Sequence, residues 1–320
     1  MATNPDPRDF LDLDSRLSDQ EVLIRATARD WVDNEILPHI ATWFEEGYLP
    51  KSLAKDMGDL GMLGMHLDGY GCAGSTAVEY GLAALELEAG DSGVRSFMSV
   101  QGSLAMFPIH AYGSDEHKEQ WLPLMARGEV VGCFGLTEPD SGSDAAAMRT
   151  TARQEPSGDW VLNGTKMWIT NGDIADVAVI WARADGGTVR GFIVPTDTPG
   201  FTANPIKRKL SLRASNTAEL VLDGVRLPSD AVLPGVASMR GPLSCLTEAR
   251  FGILWGVVGA ARACYWGSLE YAGSRAAFGG PISRLQITQQ RLVEMMVRVE
   301  KAGLLALHPV SYTHLRAHET

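Results

Sequence analysis

The hydrophobic period of this chain changes twice, and that double change limits the possible folds more than any other feature. Up to about residue 130, apolar residues recur at three- and four-residue steps. Ile24, Ala28, Trp31, Val32 and Ile36 form one helical stripe, opened by Ser18 and Glu21 at capping-box spacing and stopped by Pro38. Similar periods run over 77–89 and 115–127. Beyond residue 131, β-branched and aromatic runs over 177–182, 189–194 and 218–222 take over. Asn163-Gly164, Asn171-Gly172 and Asp223-Gly224 punctuate them, and such dipeptides favour the left-handed turns of tight hairpins. No helix-length period separates these runs, so an antiparallel β-domain is expected. After Pro242 the helical texture returns. Residues 249–272 are apolar on most faces, with Gly252, Gly256, Gly259 and Gly267 allowing close helix contact. A second helix carries Leu292, Met295, Met296, Val299, Ala302 and Ala306 on one stripe.

The expectation is therefore an α+β multi-domain protein. Residues 1–130 form a helical domain, 131–240 an antiparallel β-domain and 241–307 an incomplete C-terminal helical bundle. Pro309 should break the last helix, leaving 308–320 as a non-native tail. His314 and His318 in that tail have i, i+4 spacing but no accompanying glutamate, so no metal site is expected.

Composition narrows the function classes. The 28 basic and 39 acidic residues give a net charge of −11, which argues against nucleic acid or an anionic membrane surface as the main partner. The apolar run from Phe251 to Ala261, bounded by Arg250 and Arg262, falls short of the roughly 20 residues of a membrane span. The stretch before Arg16 has neither a basic n-region nor an apolar h-region, so a cytoplasmic location is expected. Cys72, Cys133, Cys245 and Cys264 form no CxxC pair, so neither a metal site nor a disulfide framework is indicated. Gly69-Tyr-Gly71-Cys-Ala-Gly74 fits GxGxxG, but no β-branched strand precedes it. It reads as a surface glycine loop rather than a dinucleotide site.

The segment Gly135-Leu-Thr-Glu-Pro-Asp-Ser-Gly-Ser-Asp144 concentrates hydroxyls, small residues and backbone N–H groups that could approach an anionic or carbonyl-rich ring. Together with Cys133-Phe134 it resembles the flavin-binding signature of the acyl-CoA dehydrogenases. Lys166-Met-Trp-Ile-Thr-Asn171 resembles that family's second flavin segment. Leu246-Thr-Glu-Ala-Arg250 resembles the start of its C-terminal bundle, and Arg275-Ala-Ala-Phe-Gly-Gly-Pro-Ile-Ser-Arg-Leu-Gln286 its inter-subunit flavin contact. The α–β–α order agrees.

The resemblance implies FAD as cofactor. Phe134, Leu136 and Thr137 would line the flavin's pyrimidine side, and Ser143 would reach the pyrophosphate and the pantetheine arm. Trp168 would cover one ring face, with Ile169 beside it and Thr170 hydrogen-bonding near N5. Arg275, Phe278 and Gln286 would serve the FAD of a neighbouring subunit in a homo-oligomer. Thr247 and Arg250 would help bind the acyl-CoA substrate.

Asp91-Ser-Gly-Val-Arg-Ser-Phe-Met-Ser-Val-Gln101 resembles the glutaryl-CoA dehydrogenase branch, in which an arginine faces the far carboxylate of the acyl chain. That position is Arg95 here, with Ser96 and Ser99 close by. Tyr112-Gly113-Ser114, residues 132–138 and Ser211-Leu-Arg-Ala-Ser215 are also close to that branch. A guanidinium suits the role because it stays ionised and offers parallel donors to a carboxylate in an apolar pocket.

The implied reaction is α-proton abstraction by a carboxylate with hydride transfer to FAD. Loss of CO₂ then yields crotonyl-CoA, and the electrons pass to an electron-transferring flavoprotein. The branch's glutamate base belongs on a loop late in the bundle, beyond the stretch that resembles the family. Some relatives place the base before the arginine matching Arg250, but Ala249 stands there. Glu248 is one residue off, turned by about 100° on a helix. A C-terminally truncated, inactive dehydrogenase is expected from this. The alternatives are a dehydrogenase for another short acyl-CoA and a non-catalytic flavin- or CoA-binding fragment.

Overall fold

The computed structural model describes residues 6–317, with side chains through His308. Local signals near the N-terminus act as their spacing demands. Ser18 caps α1 (Asp19–Trp31): its hydroxyl accepts the Glu21 N–H, and the Glu21 carboxylate accepts the Ser18 N–H at 2.8 Å. A π-helical stretch, Val32–Ile36, carries the chain to Pro38. Then come α2 (Ile40–Glu46), α3 (Leu53–Asp59), α4 (Ala77–Gly90) and α5 (Ser92–Ser99). A second π-helical stretch (Val100–Met106), α6 (Phe107–Tyr112) and α7 (Asp115–Ala126) complete the first helical region. Gly69, Gly71 and Gly74 all have positive φ in the irregular loop before α4, so the GxGxxG string is the expected glycine loop.

The strands are β1 (Gly132–Gly135), β2 (Thr151–Gln154), β3 (Trp160–Thr170), β4 (Val177–Ala184), β5 (Val189–Pro195), β6 (Phe201–Pro205) and β7 (Thr217–Leu227). They form one sheet in the order β1-β4-β2-β3-β7-β6, with β5 also paired to β4. Pairing is antiparallel except at β4, which runs parallel to both β1 and β2, so the sheet is mixed. Residue periodicity gives a strand's pleat but not the direction of its neighbour. Trp160, Leu162, Ile180, Phe192, Leu220 and Val225 are among the side chains of the sheet's core.

Two of the three expected turns are not turns. Asn163-Gly164 lies inside β3 and Asp223-Gly224 inside β7, facing each other across a break in register between Leu162 and Gly164. There the Gly224 N–H donates to Asn163 Oδ1 at 2.8 Å. Both dipeptides supply the unusual backbone angles of a bulge, which hairpin turns also need. Asn171-Gly172 does turn the chain, with the Ile174 N–H on the Asn171 carbonyl at 3.0 Å. It joins strands that do not pair with each other.

After the sheet come α8 (Arg240–Ser274), a short hairpin of β8 (Ala276–Ala277) and β9 (Gly280–Pro281), and α9 (Gln286–Ala317). Helix α8 starts earlier than its apolar run suggests, because Pro242 falls in the first turn, where a missing N–H costs nothing. By length and composition alone α8 would pass for a membrane span, which the shorter run counted in the sequence understated. Pro309 does not end α9, whose backbone stays helical to Ala317. A proline removes one internal hydrogen bond, and a helix can absorb that loss as a bend. His318 lies outside the described residues, as does the side chain of His314.

Two compact units emerge. One comprises the chain through His39, Thr76–Arg95 and Gly252 onward; the other comprises Ile40–Ser75 and Ser96–Phe251. In the first unit α4 packs on α8 through glycines. A Cβ on Gly81 would strike the Trp255 ring, and one on Gly259 the Leu85 carbonyl. Gly256 does the same against the Glu88 and Arg95 side chains, whereas Gly267 faces open space. Glu86, 2% exposed, holds Arg29 from α1 and Arg262 from α8, with Arg29 Nη2 at 2.8 Å and Arg262 Nη1 at 2.9 Å.

Candidate active site

A cavity of about 310 Å³ opens in the second unit, lined by residues from four stretches of chain. Phe134, Leu136 and Thr137 come from the end of β1, and Gly142, Ser143 and Ala145 from the loop after it. Trp168, Ile169 and Thr170 come from the end of β3. Val100 and Leu104 belong to the second π-helical stretch, and Leu243, Leu246 and Arg250 to one face of α8. π-Helical turns often accompany functional sites. Seven of the residues assigned to a flavin by resemblance, Phe134, Leu136, Thr137, Ser143, Trp168, Ile169 and Thr170, thus surround one cavity, with Arg250.

Its walls are mostly apolar, and its polar groups are the Thr137, Ser143 and Thr170 hydroxyls, backbone amides and one guanidinium. No carboxylate lines it. Trp168 is 60% exposed and has φ of +63°, on a register break between Lys166 and Ile169. An aromatic plane is thereby left uncovered at the cavity rim. This donor set suits a flat heteroaromatic ring whose faces are apolar and whose edge bears carbonyls and ring nitrogens.

The two flavin-like segments are bound to each other from below. The Met167 N–H donates to the Thr137 carbonyl at 2.8 Å. Lys166, fully buried, donates through Nζ to the Leu136 carbonyl at 3.2 Å and to Glu138 Oε1 at 2.8 Å. Glu138 also accepts the Arg149 N–H at 2.6 Å and the Thr150 N–H at 3.0 Å. Burial alone would raise the Glu138 carboxyl, but the Lys166 ammonium and the amide donors outweigh it and bring it down to about 2. Burial pulls Lys166 down to about 8, with Glu138 opposing. Gln101, also fully buried, ties the start of β1 to the π-helical stretch: its Oε1 accepts the Gly132 N–H at 2.7 Å, and its Nε2 donates to the Val130 carbonyl at 2.8 Å.

The other expected site residues lie elsewhere. Thr247 is exposed on α8, its hydroxyl donating to the Leu243 carbonyl at 3.1 Å, and does not line the cavity. The position lies within one turn of Leu243 and Arg250, but its hydroxyl turns back onto its own helix. Glu248 is half-buried outside the lining, with its carboxyl raised by burial. Arg95 is buried in the first unit, where its Nε donates to Glu88 Oε2. Ser99 is buried and Ser96 half-buried; neither lines the cavity. Arg275, Phe278 and Gln286 are exposed, and Phe278, 96% exposed with φ of +52°, forms the tip of the β8–β9 hairpin with Gly279.

Sequence reading left several functional neighbours without a role. Val100 with Leu104, and Leu243 with Leu246, carried a usable signal in their one-face helical spacing. Glu138 and Lys166 stood inside the quoted motifs, but nothing local couples two residues 28 positions apart. Glu88 was missed for a similar reason: it pairs seven positions away across a helix boundary.

Three family models match consecutive parts of the chain: the N-terminal domain of acyl-CoA dehydrogenases over residues 18–129, the middle domain over 133–225 and the C-terminal domain over 239–319. The chain belongs to the acyl-CoA dehydrogenase family. The short-chain specific acyl-CoA dehydrogenase of Rattus norvegicus mitochondria is 38% identical over 297 residues, covering 90% of this chain and 71% of its own. A crystal structure of a glutaryl-CoA dehydrogenase from Mycobacterium smegmatis in complex with FADH2 is 58% identical. It superposes with a TM-score of 0.94 over 96% of this chain and 79% of that one. A butyryl-CoA dehydrogenase from Megasphaera elsdenii is 30% identical, with a TM-score of 0.88 over 93% of this chain and 80% of that one. Among acyl-CoA dehydrogenases, the chain is thus similar both to glutaryl- and to short-chain-specific enzymes.

Proposed function

We propose that this acyl-CoA dehydrogenase binds FAD in the cavity between β1, β3 and the start of α8 and takes glutaryl-CoA as its acyl-CoA ligand. The observation that carries the reading is the convergence of both flavin-like segments on one apolar cavity edged by three hydroxyls. When bound, FAD supplies the two-electron oxidation at the acyl chain. The chain's own residues bind and orient. The Thr137 and Thr170 hydroxyls are donors toward the ring edge, the exposed Trp168 plane covers a ring face, and the Ser143 loop with Arg250 provides donors for anionic groups. The apolar wall from Val100, Leu104, Phe134 and Leu246 keeps water from the reacting carbons.

For the acyl group, we assign Arg95 to the distal carboxylate of glutaryl-CoA. Glu88 occupies its Nε, which fixes the guanidinium plane and leaves the Nη pair for a second carboxylate. The Ser96 and Ser99 hydroxyls would assist. The high identity to glutaryl-CoA dehydrogenase from Mycobacterium smegmatis supports this assignment. Decarboxylation to crotonyl-CoA, transfer of electrons to an electron-transferring flavoprotein, a cytoplasmic location and homo-oligomerisation are part of the same proposal. The protruding Arg275, Phe278 and Gln286 are suited to a neighbouring subunit's FAD.

The test is binding, read as perturbation of the flavin absorption of the FAD-loaded chain. Arg95→Gln should weaken glutaryl-CoA binding by about ten- to a hundredfold, the worth of a charge-assisted hydrogen bond at roughly 1.5–3 kcal/mol. Butyryl-CoA, which lacks the distal carboxylate, should bind nearly as before. Equal losses for the two ligands would exclude the carboxylate assignment and favour another short acyl-CoA.

A further inference from the structure

The Lys166–Glu138 pair is built in a way the sheet does not require. Lys166 is fully buried, yet its ammonium reaches no solvent and serves the residues on either side of Thr137: the Leu136 carbonyl at 3.2 Å and the Glu138 carboxylate at 2.8 Å. The next residue, Met167, holds the Thr137 carbonyl itself at 2.8 Å. Three consecutive residues, of which Leu136 and Thr137 line the cavity, are therefore held by two consecutive residues of β3. With its carbonyl so engaged, Thr137 keeps its hydroxyl for the cavity.

Glu138 performs a second closure. Its carboxylate accepts the Arg149 N–H at 2.6 Å and the Thr150 N–H at 3.0 Å, so it joins the start of the 138–150 loop to its end. Gly142, Ser143 and Ala145, which line the cavity, lie inside the loop so closed. The stem of Lys166 is packed too: a Cβ on Gly135 would stand 3.2 Å from its Cγ. A buried ion pair is expensive to desolvate, and an apolar pair of similar volume commonly gives equal or greater stability. Stability alone is thus a poor reason for these charges. Orientation is a better one, because an apolar pair could not hold the Leu136 carbonyl and the Arg149 and Thr150 amides at once.

We propose that Lys166 and Glu138 are positioning residues for the cofactor: their ion pair fixes the Thr137 hydroxyl and the Ser143 turn in the places from which they hold FAD. The proposal rests on the reading of this cavity as the FAD site. It deepens that reading by assigning cofactor affinity to a pair that never touches the cavity, since neither residue lines it. The sheet would survive loss of the pair; the cofactor's hold would not.

The full chain, freed of cofactor, is titrated with FAD. Flavin fluorescence gives the affinity, the visible absorption spectrum reports the ring's surroundings, and thermal melting of the cofactor-free chain reports the fold. In the double variant Glu138→Leu/Lys166→Met no charge is left unpaired. It should melt within a few degrees of the parent, bind FAD about tenfold or more weakly and shift the flavin spectrum. Glu138→Gln, which keeps an acceptor for the two amides, should show a smaller loss in the same direction. Unchanged FAD affinity and spectrum in the double variant overturn the proposal. Collapse of the cofactor-free fold in both variants overturns it equally, because the pair would then be holding the sheet. Ser143→Ala/Trp168→Ala separates the two levels. If that variant binds FAD as the parent does, the cavity reading itself fails. If it binds weakly while the charge-pair variants bind normally, the cavity reading stands and the positioning role falls.

Discussion

Gln101→Leu isolates what a single buried amide contributes to this site. Gln101 is fully buried and makes three contacts: Oε1 accepts the Gly132 N–H at 2.7 Å, and Nε2 donates to the carbonyls of Val130 at 2.8 Å and Met125 at 3.2 Å. Leucine nearly conserves the volume, so no large cavity forms and the loss is almost purely polar. The Met125 carbonyl keeps a partner, since the Gly128 N–H also reaches it at 3.2 Å. The Gly132 N–H and the Val130 carbonyl lose their side-chain partner in the interior, at about 1–3 kcal/mol for each buried unsatisfied group. The sum is roughly 2–6 kcal/mol, a large part of the ~5–15 kcal/mol that separates folded from unfolded domains. Urea unfolding followed by tryptophan fluorescence should show a lower midpoint at an unchanged slope. Because Gly132 opens the strand that carries Phe134 to the cavity, FAD affinity should fall as well. A destabilisation below about 0.5 kcal/mol, the range of an ordinary surface change, would refute the reasoning. It would mean that water or backbone relaxation satisfies the strand's first amide.

Glu86→Gln should destabilise the chain by about 3–5 kcal/mol, because it leaves the Arg29 and Arg262 guanidiniums facing each other without their shared carboxylate. A change under ~1 kcal/mol in chemical unfolding would show that the two cations find solvent. Glu138 makes a pH prediction. Its carboxyl is held at about 2 in the folded chain against an ordinary 4.5, so its contribution is fully present above 4.5 and is lost as pH falls toward 2. Urea midpoints of the parent should therefore fall more steeply across that window than those of Glu138→Gln. Parallel slopes would count against the ion pair as the cause.

What the sequence disclosed was whatever depends on neighbours in the chain. The Ser18–Glu21 capping box acts over three residues, and both partners are visible in one short string. The decapeptide from Gly135 to Asp144 was recognisable as a donor-rich loop, and its Thr137 and Ser143 do line the cavity. Features that need a distant partner were hidden. Asn163-Gly164 and Asp223-Gly224 have the composition of hairpin turns, and only their mutual pairing makes them a bulge. The parallel pairing of β4 with β1 and β2 has no mark in either strand. Arg95 was expected to face the carboxylate of a ligand, and nothing in its string showed that Glu88 already holds one of its nitrogens.

The register break in β3 explains how one strand can build both the floor and the rim of the cavity. In a regular strand Lys166, Trp168 and Thr170 would share one face, since side chains alternate with period two. The cavity requires otherwise: Lys166 must point into the core to reach Glu138, while the Trp168 ring must stay open to the cavity two residues later. The left-handed turn at Trp168 and the break between Lys166 and Ile169 change the parity, so that Ile169 becomes the buried neighbour instead. A tryptophan at positive φ costs on the order of 1 kcal/mol or more, and such strain persists only where surrounding contacts over-determine it. Those contacts lie just upstream, in the Met167 N–H on the Thr137 carbonyl and in the buried Lys166 ammonium. The strained ring and the buried charge are thus two parts of one device: the second holds the backbone from which the first projects.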